Sequence, residues 1–389
     1  MTVIDLSDFQ EKCSGCFACY NACPAGAISM LLNDEGFYYP SINSNCVKCG
    51  RCFDVCNIEK KDVIYPINND TDIFYVQTSD EIRKLSSSGG FFYILAKYVL
   101  ERQGIVFGAA FSREDQEIRH VSTDQTELER ICRSKYVQSN IGETYREIKS
   151  QLITGRLVLF SGTPCQVHAL KHYLGKEYSN LILADFVCHG VPSVSFFKDT
   201  LSNMEKKHDA KIIDVTFREK DKGWRKQVTK FYFDNGDIET AASSTFYHYY
   251  LFLHNYTLRK SCFTCSYPRN HASDLTIWDA WTIKNDDDKG TSAVALNSDT
   301  GKKVFSTLRN TINITGSPKA DNYFLCFKEH STLKSYRRGL RGRKRFFSYY
   351  ISNGFEDTIT KWYPRNLRIS KIQSSIRSIG VKIKHLIKP

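Results

Sequence analysis

With 389 residues, 41% hydrophobic and 25% charged, the chain has room for two or three folded domains and is neither a disordered polymer nor a membrane bundle, since no apolar run approaches bilayer-spanning length. Its 54 Lys and Arg against 42 Asp and Glu leave a formal charge of +12, which suits an anionic partner, but no nucleic-acid motif accompanies that charge and no nucleic acid is expected. Fourteen cysteines without an apparent export signal predict a reducing, cytoplasmic setting in which thiols persist as ligands or catalysts.

Eight of those cysteines come first. Cys13, Cys16, Cys19 and Cys23, then Cys46, Cys49, Cys52 and Cys56, each read C-x2-C-x2-C-x3-C, and every member of the second run stands 33 residues after its counterpart. Three thiolates two residues apart on a tight loop wrap three corners of a [4Fe–4S] cube, and the fourth must come from elsewhere. In the two-cluster arrangement the last cysteine of each run crosses over. This assigns Cys13, Cys16, Cys19 and Cys56 to one cube and Cys46, Cys49, Cys52 and Cys23 to the other. Zinc favours two separated CxxC pairs around one ion, and disulfide frameworks belong to secreted chains, so both fit less well. Residues 10–60 resemble the bacterial two-[4Fe–4S] ferredoxin, with Pro24 after the first run and Asn57 where the second run usually has proline. A ferredoxin domain is expected over residues 1–62.

A linker containing Pro66, Asn68 and Asn69 leads to a predicted strand over 73–77. The run Ser86-Ser87-Ser88-Gly89-Gly90 then precedes a helix-period segment over 91–102, which places it at a helix N-terminus, either as a phosphate cradle or as a plain capped loop. Strands over 105–111 and 157–160 flank Tyr136-Val137-Gln138-Ser139 and a helix over about 141–152. Next comes Ser161-Gly162-Thr163-Pro164-Cys165-Gln166. Thr163 suits an N-cap and Pro164 a first helical position, which sets Cys165 in the first turn of a helix reaching about residue 174. A strand over 181–187 ends in Cys188-His189-Gly190-Val191-Pro192-Ser193, so two cysteines lie just past the carboxyl ends of successive strands, where open α/β sheets build sites. Strands over 212–217 and 228–233 flank Lys222-Gly223-Trp224-Arg225-Lys226, whose basic side chains suit an anionic group or, more simply, a solvated loop. Cys262-x2-Cys265 precedes residues 274–281. Cys132 and Cys326 have no motif around them and read as buried structural thiols.

Taken in order, SSSGG at 86–90, YVQS at 136–139, GTPCQ at 162–166, CHGVPS at 188–193, KGW at 222–224 and CFTC at 262–265 resemble the coenzyme F420 hydrogenase/dehydrogenase beta-subunit family over about residues 73–285. The resemblance implies FAD between iron–sulfur clusters and an organic or deazaflavin (coenzyme F420-like) substrate, with Ser87, Ser88, Gly89, Gly90, Tyr136, Ser139, Thr163 and Gln166 lining the flavin. Cys165, Cys188, Cys262 and Cys265 supply the four thiolates a third [4Fe–4S] cluster needs; a redox disulfide at Cys262/Cys265, a zinc site and a nucleophilic Cys165 stay open. His189 is a candidate proton donor at the flavin edge, or a histidine held by a backbone carbonyl. Where the family has Gly-Asp-x-Trp, this chain has Trp278-Asp279-Ala280-Trp281. Gly to Trp adds a large side chain where cofactor and backbone approach closely, so either the pocket differs or Asp279, a candidate catalytic group, is differently aimed.

Beyond residue 330 the chain is basic and helical in pattern. Isoleucines and leucine at 369, 372, 376, 379, 383 and 386 recur at steps of three and four between lysines and arginines, as suits an anionic membrane surface or docking onto the protein itself. The expected architecture is α+β: a small two-cluster ferredoxin-like domain, a larger α/β flavin-binding region with a mixed sheet over 73–330, and a C-terminal segment over 331–389 ending in an amphipathic helix. The expected function is an iron–sulfur flavoprotein oxidoreductase, cytoplasmic or peripheral on the inner face of the membrane, served by a ferredoxin-type or other redox partner. The alternative is an electron-transfer subunit for a separate reductase.

Overall fold

The computed structural model describes residues 11–56, 58, 65–242, 246–267, 270–283, 287–319 and 333–363. The boundary expected near residue 62, Cys326 and the amphipathic segment 369–386 lie outside the described residues.

The repeated cysteine spacing gives repeated backbone. Helices Ala18–Ala22 and Arg51–Asp54 flank an antiparallel hairpin of β1 (Ile28–Leu32) and β2 (Tyr38–Ile42). Each helix follows a left-handed residue, Phe17 at φ 66° or Gly50 at φ 77°, and two residues earlier stands another, Gly15 at φ 64° or Lys48 at φ 54°. These positions are 33 apart, like the cysteines, so both loops turn the same way around their thiols. A bulky residue such as Phe17 rarely adopts that conformation and does so here only because the loop must close. Its ring is buried against Tyr38 and joins the main core.

After β3 (Tyr65–Pro66) come the strands of the large sheet: β4 (Asp72–Gln77), β5 (Ile105–Ser112), β6 (Glu117–Thr123), β7 (Val158–Gly162) and β8 (Leu181–Phe186). A smaller antiparallel sheet follows, β9 (Ile212–Glu219), β10 (Val228–Phe233) and β11 (Ile238–Ala242). Then β12 (Asn270–His271) pairs with β3, and β13 (Leu275–Asp279), β14 (Ser292–Leu296) and β15 (Asn313–Gly316) return to the large sheet. Its order is β15-β4-β14-β13-β8-β7-β5-β6. The strands β5, β7, β8 and β13 run parallel, and β4 points the same way because both it and β13 are antiparallel to β14. The sheet is therefore mixed, as expected.

Central strands buried on both faces read as unbroken apolar runs, and both β7 and β8 have that character. Helices Phe91–Leu100 and Asp299–Leu308 cover one face through Leu95, Val99, Val304 and Phe305. Helices Thr144–Ile153, Pro164–Leu174 and Val194–His208 cover the other through Ile148, Leu170 and Phe197. Cys132 is buried beside the first of these faces. The helix Leu333–Trp362, interrupted at Gly354 (φ 77°), packs Phe346, Phe347 and Tyr350 onto Phe37 of the N-terminal hairpin and Phe196 of the body. The charged run that opens this helix is thus partly interior: Arg343 is 4% exposed and pairs with Glu35.

Candidate functional site

The carboxyl ends of β4, β7, β8 and β13 face one edge of the sheet, and the motif residues follow them there. All thirteen described cysteines are free thiols. Burial pushes the Cys16 thiol up to about 12, with charges at Cys13, Cys56 and Cys165 adding to the rise. Cys19 is raised by burial first and then by Cys16, Cys13 and Cys56. Cys56, from the second run, thus gathers with three cysteines of the first, the grouping that crossover requires. Cys52 is raised by burial, with Cys46 and Cys49 adding, and Cys23 accepts the N–H of Ala27 at 3.2 Å.

Four further cysteines converge from separate elements. Thr163 opens the helix Pro164–Leu174 with a capping box: its N–H donates to Gln166 Oε1 at 2.9 Å, and its Oγ1 lies 3.1 Å from Cys165 Sγ. Cys188 leaves β8, and Cys262 and Cys265 flank a short 3-10 turn, Lys260–Thr264. Burial raises Cys188 well above the ordinary thiol range, with Cys262, Cys165 and Cys265 contributing; Cys262 rises to about 11, and Cys265 is raised by burial and then by Cys262 and Cys165. Gly190, at φ 124°, lets the Cys188 loop lie on this turn, since a Cβ there would meet the Cys262 Cβ at 3.1 Å.

Among the described residues no three His, Cys, Asp or Glu side chains close in tightly enough for a single metal ion. Thiolates around a cube stand further apart than ligands around one ion, and the donor set, four soft sulfurs per group, half-buried apart from the exposed Cys46, Cys49 and Cys265, fits iron–sulfur chemistry better than zinc. The group around Cys16 and the group around Cys165 adjoin. Cys165 bears on Cys16, and the phenols of Tyr145 and Tyr267 both feel Cys16 and Cys165. Tyr267 also bonds His168 Nδ1 at 2.7 Å.

The residues expected to line one flavin fall into two groups. Ser139, Thr163 and Gln166 stand beside Cys165, with Gln166 Nε2 donating to Ser139 Oγ at 3.0 Å. Ser87, Ser88, Gly89, Gly90 and Tyr136 stand at the other end of the same sheet edge. There the residue before the helix N-cap is held in place: Gly89 N–H donates to Ser292 Oγ at 2.9 Å, and a Cβ on Gly89 would meet Val76 O at 2.1 Å. Ser88 Oγ pairs with Ser292 Oγ. The run is a close-packed corner of helix, β4 and β14, and Ser87 is its partly open member.

Beside Ser87 lies a residue no motif indicated. Arg218, at φ 62° near the end of β9, is 3% exposed and donates to both Asp279 oxygens at 2.8 Å, to Tyr136 Oη at 3.0 Å and to Ser87 O at 2.9 Å. Burial alone would lower its pKa, but Asp279 and Tyr136 outweigh that and raise it. Trp224 Nε1 also donates to Asp279 Oδ1 at 3.3 Å, so both oxygens of Asp279 are occupied. Trp224 stacks on Trp281 at 4.3 Å, and Trp281 is 36% exposed. Alternation along β13 turns Trp278 to the face opposite Asp279, where it packs with Ile67, Ile73 and Ala293. Lys220 donates to the carbonyls of Arg83, Ser88 and Lys289, and burial, then Arg218, lower it to about 7. Buried Nε atoms of Arg133 and Arg218 find no acceptor among the described residues. These donors and the open indole face suit a planar, anionic cofactor.

His189 stays with the cysteines. Its Nε2 lies 2.9 Å from Asn255 Oδ1, and its ring meets Phe252 at 5.0 Å. Phe252 in turn lies 5.8 Å from Tyr136 and so links the two groups. Arg225 and Lys226 are exposed, as a solvated loop would leave them.

Residues 155–321 match the sequence model for the C-terminal region of the coenzyme F420 hydrogenase/dehydrogenase beta subunit, and residues 12–59 match that of the 4Fe-4S dicluster domain. Residues 155–321 are thus similar to the C-terminal region of that beta subunit, behind an N-terminal dicluster domain. The dicluster match therefore precedes the beta-subunit match along the chain. No curated protein matches the chain. Among solved structures it is similar to a chain of the F420-reducing [NiFe] hydrogenase complex from Methanosarcina barkeri, at 15% identity and a TM-score of 0.47, covering 74% of this chain and 96% of that one.

Proposed function

We propose that this chain is an iron–sulfur flavoprotein oxidoreductase that passes electrons between [4Fe–4S] clusters and an organic or deazaflavin substrate through FAD. The observation that carries the reading is contiguity. Cys16 of the N-terminal module adjoins Cys165 of the body, and Phe252 spans from His189, next to Cys188, to Tyr136 in the Arg218–Asp279 group. Cys13, Cys16, Cys19 and Cys56 would hold one cube, Cys46, Cys49, Cys52 and Cys23 a second, and Cys165, Cys188, Cys262 and Cys265 a third. When bound, the cubes supply one-electron carriers and the flavin converts between one- and two-electron chemistry. Arg218 orients Tyr136 and Asp279, the Trp224/Trp281 stack offers a planar face, and Lys220 closes the loop behind Ser87.

Anaerobic purification with iron, sulfide and flavin quantified tests this. Twelve irons and one FAD per chain are expected. Eight irons would remove the third cube, and a chain without flavin would remove the flavoprotein part. A second reading, an electron-transfer subunit whose partner performs catalysis, is favoured by one observation: Asp279 is locked by Arg218 and Trp224, so its carboxylate is not poised to move a proton. Turnover of a soluble acceptor by the isolated, loaded chain separates the two. Redox partner subunits and contact of the basic C-terminal segment with a membrane surface belong to the same proposal; among the described residues no helix is long and apolar enough to cross a membrane.

A further inference from the structure

Two buried arginines fasten the N-terminal module to the rest of the chain, and they differ in one respect. Arg343 has a carboxylate, Glu35, against its guanidinium. Arg259 has none. It is fully buried; its Nε donates to Cys13 O at 2.7 Å, and its two terminal nitrogens donate to Gln138 Oε1 at 3.1 Å and Tyr38 O at 2.8 Å. All three acceptors are neutral, and among the described residues no carboxylate pairs with it. Its guanidinium lies 4.3 Å from the Tyr39 ring centroid, and Gly15 makes room for it, since a Cβ there would meet Arg259 Nη1 at 2.8 Å. A buried cation without a counter-ion is costly, and folds retain one where an anion is brought to it. Cysteines of both sets surround it: Cys13 accepts from its guanidinium through the backbone carbonyl, the Arg259 carbonyl accepts the Cys262 N–H at 3.1 Å, and the Arg259 N–H donates to Val191 O at 2.9 Å in the loop that follows Cys188.

We infer that Arg259 is the counter-charge of the iron–sulfur clusters at the module junction, holding the Cys13/Cys16/Cys19/Cys56 cube, and the Cys165/Cys188/Cys262/Cys265 cube beside it, at a higher reduction potential than they would otherwise have. The inference rests on the proposed cluster assignment. The step it acts on adds one electron to a cube from an external reductant; no bond is broken and no proton moves. The added negative charge appears next to a fixed positive one in surroundings of low dielectric, which favours the reduced form. Arg259 is a positioning and charge-setting residue; its hydrogen bonds go to the chain, not to a reacting atom.

The test is a dithionite-mediated redox titration of the loaded full chain followed by electron paramagnetic resonance, comparing Arg259→Met, Arg259→Lys, Gln138→Glu and Arg343→Met. Arg259→Met should leave the junction cubes about tenfold less reduced at a fixed poise, equivalent to about 59 mV for one electron. The Cys46/Cys49/Cys52/Cys23 cube should stay in place as the internal reference. Gln138→Glu, which sets a carboxylate against Arg259 without deleting it, should shift the same signals the same way and stands in if Arg259→Met fails to fold. Arg259→Lys, which keeps charge but not the forked hydrogen bonds, should restore most of the potential. Arg343→Met, which loosens the same junction, should not move it. Equal shifts in both N-terminal cubes, a lysine variant that shifts as far as methionine, or no shift with either Arg259→Met or Gln138→Glu would overturn the inference. If the chain holds eight irons rather than twelve, the third-cube assignment falls, and the shift is read on the Cys13 cube alone.

Discussion

The residue that most alters the reading of the second site is Arg218. It belongs to no motif, and a lone arginine near the end of a strand carries no sequence signal beyond its charge. Its left-handed backbone and buried guanidinium become visible only when β9 is seen to pass Asp279. Asp279, in contrast, was legible through its motif, but its partners were not. Replacing Asp279 with Asn would leave Arg218 as an unpaired buried cation, and removing one member of a buried pair costs about 3–5 kcal/mol. Urea unfolding should show that loss, and the same variant should lose flavin if the Tyr136–Arg218 group lines it. A stability unchanged from the parent would mean that Tyr136 and Ser87 suffice to hold the guanidinium.

Among the elements, those with strong periodicity or caps were read closely from sequence. The strand expected over 105–111 is Ile105–Ser112, and the helix after Thr163 begins at Pro164 with the capping box that Thr163 and Gln166 encode. Helix ends were less legible: the segment expected over 91–102 stops at Leu100, and the one from about 141 starts at Thr144. The SSSGG corner carries a packing demand that its motif did not show. β14 arrives here from 203 residues later in the chain, and its Ser292 accepts from Gly89, the residue before the helix N-cap. The glycine is needed for contact with backbone. Gly89→Ala should therefore destabilise the chain by about 3 kcal/mol or more through overpacking. Gly26→Ala, where a Cβ meets nothing within 4 Å, should cost about 1 kcal/mol for its positive φ alone. Thermal denaturation of the two variants side by side checks the contrast; equal losses would show that conformation and not contact decides.

For the whole molecule, two buried histidines set an acid limit. His120 donates Nε2–H to Ser161 O and His248 to Tyr136 O, while each Nδ1 is buried without a partner, so a second proton would have nowhere to bond. Burial lowers both to about 4. Their folded values lie below the unfolded value near 6.5, so stability is fully present above pH 6.5 and is lost as pH falls toward 4. The loss is about 3 kcal/mol for each. Unfolding free energy measured across that window should fall less steeply in a His120→Phe/His248→Phe variant than in the parent, and parallel curves would refute the assignment. Composition gave the sign of the surface charge but could not show that Arg343, inside a run of basic residues, faces inward to Glu35. Depth within a cluster of like charges depends on packing partners far along the chain.

That ion pair also has a consequence in time. Glu35 and Arg343 are 308 residues apart, and Arg259 reaches back 246 residues to Cys13. During synthesis the module with its eight cysteines leaves the ribosome long before either arginine exists to seat it. It therefore spends most of translation as a separate small body with its cysteine loops accessible, and cluster loading can precede docking. Contacts of such long sequence separation also form late and slowly. The helix Leu333–Trp362 brings the second of these arginines and ends that interval.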